Sequence, residues 1–171
     1  MNLVLLVVAC TQTTEIYEPL GLCSKTEIDK LISHDTFVFN KDGGTQSTSG
    51  AFWEIDNYIT IDSIEYVSMD STLINKSTGD TLHDIRITRF VFENTKLSDE
   101  PPILDPPALM PIQSIEAPWF CINISPNSVA LDISVSMSSN YTAQKRTITL
   151  MVWAGNCHRY VYVEQEPGDG C

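Results

Sequence analysis

Three histidines, five cysteines and 22 acidic side chains are the residues of this chain that could do chemistry. His34, His83 and His158 are scattered, and none sits in the His-x-x-x-His or His-Glu-x-x-His spacing that puts two imidazoles on one zinc ion. No Gly-x-Ser-x-Gly elbow presents a serine nucleophile. Carboxylates are abundant, but glycoside hydrolysis needs two of them at a fixed separation in a cleft, and no pattern in the chain pairs any two. Asp99-Glu100 and the run 166–169 lack the regular ligand spacing of a calcium loop and read as solvated loops. The chain therefore nominates no catalytic residue, no metal ligand and no cofactor, and the expectation is a protein that is not an enzyme. No Cys-x-x-Cys occurs, which argues against a zinc knuckle or a redox motif.

One cysteine stands apart. Leu3 to Ala9 is an unbroken apolar run that stops at Cys10. It is too short to span a bilayer, which takes about 20 residues, and it reads as the end of a secretory h-region. Val7-Val8-Ala9-Cys10 resembles the lipobox of bacterial lipoproteins, and the polar run Thr11-Gln12-Thr13-Thr14 follows it. The resemblance implies cleavage before Cys10 and diacylglycerol on its sulfur. The Lys/Arg-rich n-region is missing, which points to a start upstream of Met1. With Cys10 lipidated, Cys23, Cys121, Cys157 and Cys171 remain, an even number in an exported chain, and so candidates for disulfides. Four cysteines allow three pairings, all open at the level of sequence.

The aromatic side chains are the remaining chemical resource, and strand alternation decides where they point. Ile148, Leu150 and Val152 alternate with Thr149, Met151 and Trp153; Val161 and Val163 alternate with Tyr160, Tyr162 and Glu164. This is a hairpin with one apolar face. If that face is core, Met151, Trp153, Tyr160 and Tyr162 all point the other way. They form the candidate ligand platform, suited to stacking on sugar rings or to docking a partner protein.

The elements that must position this hairpin are also strands. Val129 to Met137 alternates strictly. Phe37 and Phe39 mark a first strand before the Asp42-Gly43-Gly44 turn; Phe52, Trp53 and Ile55 mark a second, and Tyr58 to Ile61 a third. Residues 63–75 and 82–92 read as a hairpin about the polar turn Lys76–Asp80. Ser24-Lys25-Thr26-Glu27 has the form of a capping box, with Ile28, Leu31 and Ile32 at helical spacing, so a short helix is expected over residues 26–33. The stretch 93–118 carries six prolines, lacks ladder donors at those positions and is expected to be a long connection packed over the domain by Ile103, Leu104, Leu109 and Met110. Eight or nine short strands with frequent turns indicate an all-β sandwich.

Four motifs, in order, resemble those of BACON domains, which are immunoglobulin-like modules of Bacteroidetes secreted proteins and lipoproteins. Residues 37–46 (FVFNKDGGTQ) resemble the opening strand and Gly-Gly turn. Residues 119–126 (WFCINISP) resemble the central Trp strand; residues 145–150 (KRTITL) and 161–165 (VYVEQ) resemble the closing hairpin that ends in Gln. The likeness runs from 35 to 165 but is interrupted, since 64–118 is longer than the usual module. It implies an immunoglobulin-like antiparallel β-sandwich with Trp53 and Trp119 in the core and no established catalytic residues. Carbohydrate or mucin binding has been proposed for such domains.

The expected organisation is a lipoprotein leader at 1–9, a tether with a short helix at 10–34, a BACON-like sandwich at 35–166 with an insertion at 64–118, and a tail at 167–171. Asp62-Ser63-Ile64, Asp70-Ser71-Thr72 and Asp80-Thr81-Leu82 fit a short acceptor motif for bacterial O-glycosylation, which makes Ser63, Ser71 and Thr81 candidate sites. A formal net charge of −12 repels phosphate backbones, so nucleic acid is an unsuitable partner. The functional expectation is an exported, outer-membrane, lipid-anchored module, on the periplasmic or the surface face, that binds a glycan or mediates adhesion. The alternative is a structural or accessory subunit that binds another envelope protein.

Overall fold

The computed structural model describes residues 23–52, 54–90, 111–126, 131–154 and 156–170. The leader, Cys10 and most of the tether lie outside the described residues, as do Trp53, the proline-rich stretch 91–110, residues 127–130 and Cys171. Among the described residues one helix precedes thirteen strands. The helix is α1 (Lys25–Leu31). The strands are β1 (Thr36–Phe39), β2 (Gly44–Gly50), β3 (Glu54–Ile55), β4 (Tyr58–Ile61), β5 (Ile64–Met69), β6 (Thr72–Asn75), β7 (Thr81–Leu82), β8 (Arg86–Arg89), β9 (Ile112–Ala117), β10 (Phe120–Pro126), β11 (Leu131–Met137), β12 (Arg146–Ala154) and β13 (Cys157–Gln165).

These strands make two sheets. The first runs β1-β13-β12-β4-β5-β6-β7, with β3 also on β12; the second runs β2-β11-β10-β9-β8. Their inner faces meet in one core, the all-β sandwich expected from the alternating pattern. Ile148, Leu150, Val152, Val161 and Val163 are all buried in it, as the hairpin periodicity requires. One pairing departs from an all-antiparallel sandwich: β1 runs parallel to β13, Phe37 beside Val163.

Helix α1 forms as its capping box predicts. The Ser24 hydroxyl accepts from the Glu27 N–H, and the Glu27 carboxylate accepts from the Ser24 N–H at 2.8 Å. The helix ends at Leu31, two residues before the expected boundary, because Ile32 turns extended and Ser33 donates its N–H to Ser49 at 2.9 Å. Leu31 and Ile32 are buried, and Gly50 lets the helix end approach: a Cβ there would lie 1.9 Å from the Leu31 carbonyl oxygen.

Three sequence expectations are corrected. β2, Gly44–Gly50, was not expected as a strand. Its outward side chains are polar, Thr48 is its one buried side chain, and it lies at a sheet edge, so it carries no apolar alternation. The expected hairpin of 63–75 with 82–92 forms only next to its turn, where β6 pairs with β7 and Leu73 lies beside Leu82. β5 pairs instead with β6 around Asp70-Ser71, and after the short β7 the His83-Asp84 turn sends β8 into the other sheet, onto β9. β9 itself is an internal strand between β10 and β8, although it falls inside the stretch expected to be a connection. Pro111 and Pro118 bracket it, so Ile112 to Ala117 keep every N–H for the ladder. Residues 64–118 thus supply β5 to β9, and both sheets incorporate them.

The sandwich has two poles. At one, α1 packs beside the β12–β13 turn, and Cys23 is joined to Cys157 by a disulfide with Cα atoms 5.4 Å apart. Phe90 and Pro111, which flank the stretch 91–110, also meet at this pole, N–H to carbonyl at 3.0 Å. The far pole carries the turns 40–43, 62–63, 118–119 and 138–145. Gly43 adopts φ +78 there, and a Cβ would stand 2.2 Å from the Met137 carbonyl oxygen. Gln165 is wholly buried at this pole. Its amide nitrogen donates to the Ser138 carbonyl at 2.7 Å and its amide oxygen accepts from Arg146 at 3.4 Å.

Candidate functional site

The cysteine chemistry resolves first. Of the four candidates, Cys23 and Cys157 form the disulfide, Cys121 is a free thiol, and Cys171 lies outside the described residues. Cys121 sits on the outer face of the second sheet among hydroxyl side chains; its register partners are Ser136 and Glu116. Burial pushes its thiol pKa up and the Glu116 charge adds to that, so little of it is thiolate at neutral pH. Cys23, Glu27 and Cys157 bring ligand atoms within 4.8 Å of one another. The disulfide takes both sulfurs and the capping box takes the carboxylate, which is held below its usual pKa by its bonds to Ser24. No helix among the described residues is long and apolar enough to cross a membrane.

The platform residues lie on the outer face of the first sheet. β12 and β13 are in tight register: Met151 is directly across from Tyr160, Trp153 from His158 and Thr149 from Tyr162. Tyr160 and Tyr162 are 46% and 44% exposed, which makes them available to a ligand. A ladder of rings results. Trp153 lies 4.9 Å from His158, His158 6.1 Å from Tyr160, and Tyr160 6.3 Å from Tyr162, the last pair tilted by 33°.

Trp153 and the tyrosines differ in what remains free. The Trp153 indole N–H donates to Asp56 at 2.7 Å, and the ring is half-buried near the hairpin tip. Trp153 is thus tied to the β3–β4 junction, while Tyr160 and Tyr162 carry the exposed part of the platform.

Beside Tyr160 the face is not flat. β12 pairs with β3 at Val152 and Trp153 and with β4 at Ile148 and Thr149, and beside the unpaired Leu150 and Ile59 between them lies a groove of about 170 Å³. Tyr160 and Met151 stand on one side and Tyr58 on the other, with Thr60 and Thr149 across the floor. Lys76 lies 5.1 Å above the Tyr58 ring and bonds Glu65 at 3.1 Å, which puts an ion pair at the groove's edge. The groove combines opposed aromatic walls with hydroxyl donors and acceptors and one charged pair.

Sequence reading missed Tyr58, His158 and Lys76. A signal for Tyr58 was present: in Tyr58-Ile59-Thr60-Ile61 the two isoleucines claim the core, which turns Tyr58 and Thr60 outward. Lys76 was hidden because its neighbours are set by the β5–β6 register.

Trp119 packs against the core from the β9–β10 turn and is half-buried there, edge-on to Phe120 at 4.7 Å and under the Arg146 guanidinium at 4.9 Å. Phe120, the next residue, takes the core position. Ser63, Ser71 and Thr81 are all exposed, the first two in turns and the third in β7. No pattern brings the three together with the groove.

No family model matches the chain, and no curated protein does. A solved structure, described as the NMR structure of the protein from Bacteroides thetaiotaomicron, is similar over 89% of this chain and 95% of its own, at 15% identity and a TM-score of 0.42.

Proposed function

We propose that this chain is an exported, lipid-anchored module of the bacterial cell envelope that binds glycan in the groove between Tyr160 and Tyr58, without catalysing a reaction on it. The observation that carries this reading is the groove itself. Sugar rings present apolar C–H faces and hydroxyl rims, and the groove offers aromatic walls with threonine hydroxyls and the Glu65–Lys76 pair beside them. Exposed tyrosines contribute contact area at little entropic cost. The Cys23–Cys157 disulfide supports export, since such bonds persist in oxidising compartments. The lipobox-like Val7-Val8-Ala9-Cys10 supports the anchor, and the four ordered motifs support kinship with BACON domains.

The test is a glycan array probed with the delipidated protein, followed by calorimetry on the best glycan. Tyr58→Ala and Tyr160→Ala should each lower affinity by roughly tenfold, about 1.4 kcal/mol, with the fold intact because both rings are exposed. Binding that survives in the double variant refutes the groove; an array on which nothing binds refutes the glycan. Mass spectrometry of membrane-bound protein tests the anchor, and an intact segment 1–9 refutes it.

A second reading, an accessory subunit docking another envelope protein, is favoured by the apolar row Tyr58, Val67 and Ile74 that continues across β4, β5 and β6 next to exposed Met69. Capture of a protein partner that Met69→Asp and Val67→Asp abolish, with no glycan bound, would select it.

A further inference from the structure

Two tracks meet at Tyr160 on the outer face of the first sheet. One follows the strand direction. His158, Tyr160 and Tyr162 are alternate residues of β13, so their side chains leave the same face, and all three are exposed. Their ring centroids are 6.1 and 6.3 Å apart, a step comparable to the length of a pyranose. Trp153 extends the row past His158 at 4.9 Å. The other track is the groove, which runs across the strands. It leaves Tyr160, passes Met151 and Thr149 of β12 and Thr60 of β4, and reaches Tyr58 and the Glu65–Lys76 pair. Among the described residues Tyr160 is the one ring that belongs to both tracks: Trp153, His158 and Tyr162 do not line the groove, and Tyr58 is not in the row.

The tracks differ in what they can hold. The planes of Tyr160 and Tyr162 differ by 33°, so their faces look in similar directions and make an exposed shelf, whereas His158 meets Tyr160 edge-on at 87°. Rings continue on either side of Tyr160, so a chain laid on the shelf can run through that point. The groove measures about 170 Å³, below the roughly 300–1,000 Å³ of pockets that enclose a drug-sized ligand. It has room for a single sugar ring, with Lys76 above Tyr58 at its far end.

Charge narrows the ligand further. Lys76 is paired with Glu65 at 3.1 Å, and Lys145 with Glu164 at 2.7 Å, Glu164 being the next outward residue of β13 after Tyr162. Both lysines beside the tracks are thus already neutralised, and the chain carries −12. An acidic sugar would meet net repulsion there.

We infer that this face recognises a neutral, branched glycan, its main chain lying along β13 on Tyr160 and Tyr162 and a one-residue side branch seated in the groove. The inference rests on the reading of the groove as a glycan site. A straight chain follows one track only. A glycan whose branching unit sits at Tyr160 fills both, and once one track is engaged the second costs no further translational freedom.

The experiment probes the whole chain on an array of matched pairs, each a linear glycan and the same glycan with one branch residue. Mannotriose with galactosyl-mannotriose, xylotriose with arabinosyl-xylotriose, and N-acetyllactosamine with its fucosylated form are three such pairs; sialylated N-acetyllactosamine is the acidic control. Calorimetry then measures both members of the strongest pair. The branched member should bind about tenfold more tightly than the linear one. Tyr58→Ala, which removes the far wall of the groove, should erase that difference. Tyr162→Ala, which shortens the shelf, should weaken both members by the same factor, roughly tenfold. Both rings are exposed, so both variants should fold. Three results overturn the inference: a linear member that binds as tightly as its branched partner, a preference for the branch that persists in Tyr58→Ala, or tighter binding of the sialylated control than of its neutral parent. Equal binding within pairs removes the branch and leaves the glycan site standing, whereas an array on which nothing binds removes both.

Discussion

Cutting the Cys23–Cys157 bond should destabilise the protein more than any single side-chain change. The two cysteines are 134 residues apart, so the bond closes a loop that contains nearly the whole domain. In the chain-entropy account, closing a loop of that length removes about 5 kcal/mol of unfolded-state entropy. That is a ceiling, because the reduced unfolded chain retains some structure. For a chain of this size each kcal/mol moves the midpoint by roughly 2–4 °C, so the Cys23→Ser, Cys157→Ser double variant should melt about 10–20 °C lower. Urea unfolding of the two forms, followed by tryptophan fluorescence, gives the free energies. The urea m-value should also rise, since the uncrosslinked chain exposes more surface on unfolding. Double-variant and wild-type stabilities within about 1 kcal/mol of each other would refute the reasoning. Cys23 and Cys157 would then be unlinked in solution, or the N-terminal segment would contribute nothing to the cooperative unit.

Gln165→Leu should cost about 1–3 kcal/mol, because it leaves the Ser138 carbonyl without its buried donor; equilibrium unfolding within 0.5 kcal/mol of wild type, taken as the rough scatter of neutral surface changes, would show that water replaces the amide. Gly50→Ala should cost about 1–3 kcal/mol and loosen α1, read by faster amide exchange at Leu31 and Ile32, since the new methyl would meet the Leu31 carbonyl. Asp35 gives a pH test. Burial pushes its carboxyl up, but the Arg159 hydrogen bond and charge, with the Thr36 hydroxyl, outweigh that and hold it below its ordinary 3.8. A depressed carboxyl stabilises the fold above its unfolded pKa and loses that contribution as pH falls through the folded value. The stability gap between wild type and Asp35→Asn should therefore be constant at neutral pH and shrink below pH 3.8; a gap that persists at pH 2, roughly the bottom of the shifted carboxylate range, contradicts the Arg159 pairing.

What could be read from the sequence was whatever one-sided burial writes into a period of two. β11, β12 and β13 alternate because one face of each is core and the other wet, and their faces were assigned correctly from that alone. The helix was legible because Ser24 and Glu27 must both be present for its cap. β2 was not legible, because an edge strand with polar outward side chains looks like a loop. β9 was hidden by its flanking prolines, whose effect stops at the residues that carry them. The platform was half legible. Alternation placed Met151, Trp153, Tyr160 and Tyr162 on one face, but the wall opposite Tyr160 comes from Tyr58, 102 positions earlier. No local pattern records that β4 and β12 are neighbours, or that a groove opens beside Tyr58 and Ile59. Trp119 packs against the core but is only half-buried, because the β9–β10 turn gives the enclosed position to Phe120.

The disulfide also fixes how the domain carries tension. A pull on the N-terminal chain enters at Cys23 and crosses to Cys157 at the head of β13, bypassing α1 and β2 altogether. From there the load would run down β13 itself, and a ligand bound at Tyr160 as proposed would hang from that same strand, three residues along. β13 is flanked by β1 on one side and β12 on the other, with its ladder bonds across the line of force. Such a strand slips only when its bonds break together, whereas a strand peeled from its end loses them one at a time. If the chain is anchored and binds at the groove as proposed, the disulfide and β13 would give the shortest covalent path for load between Cys23 and Tyr160.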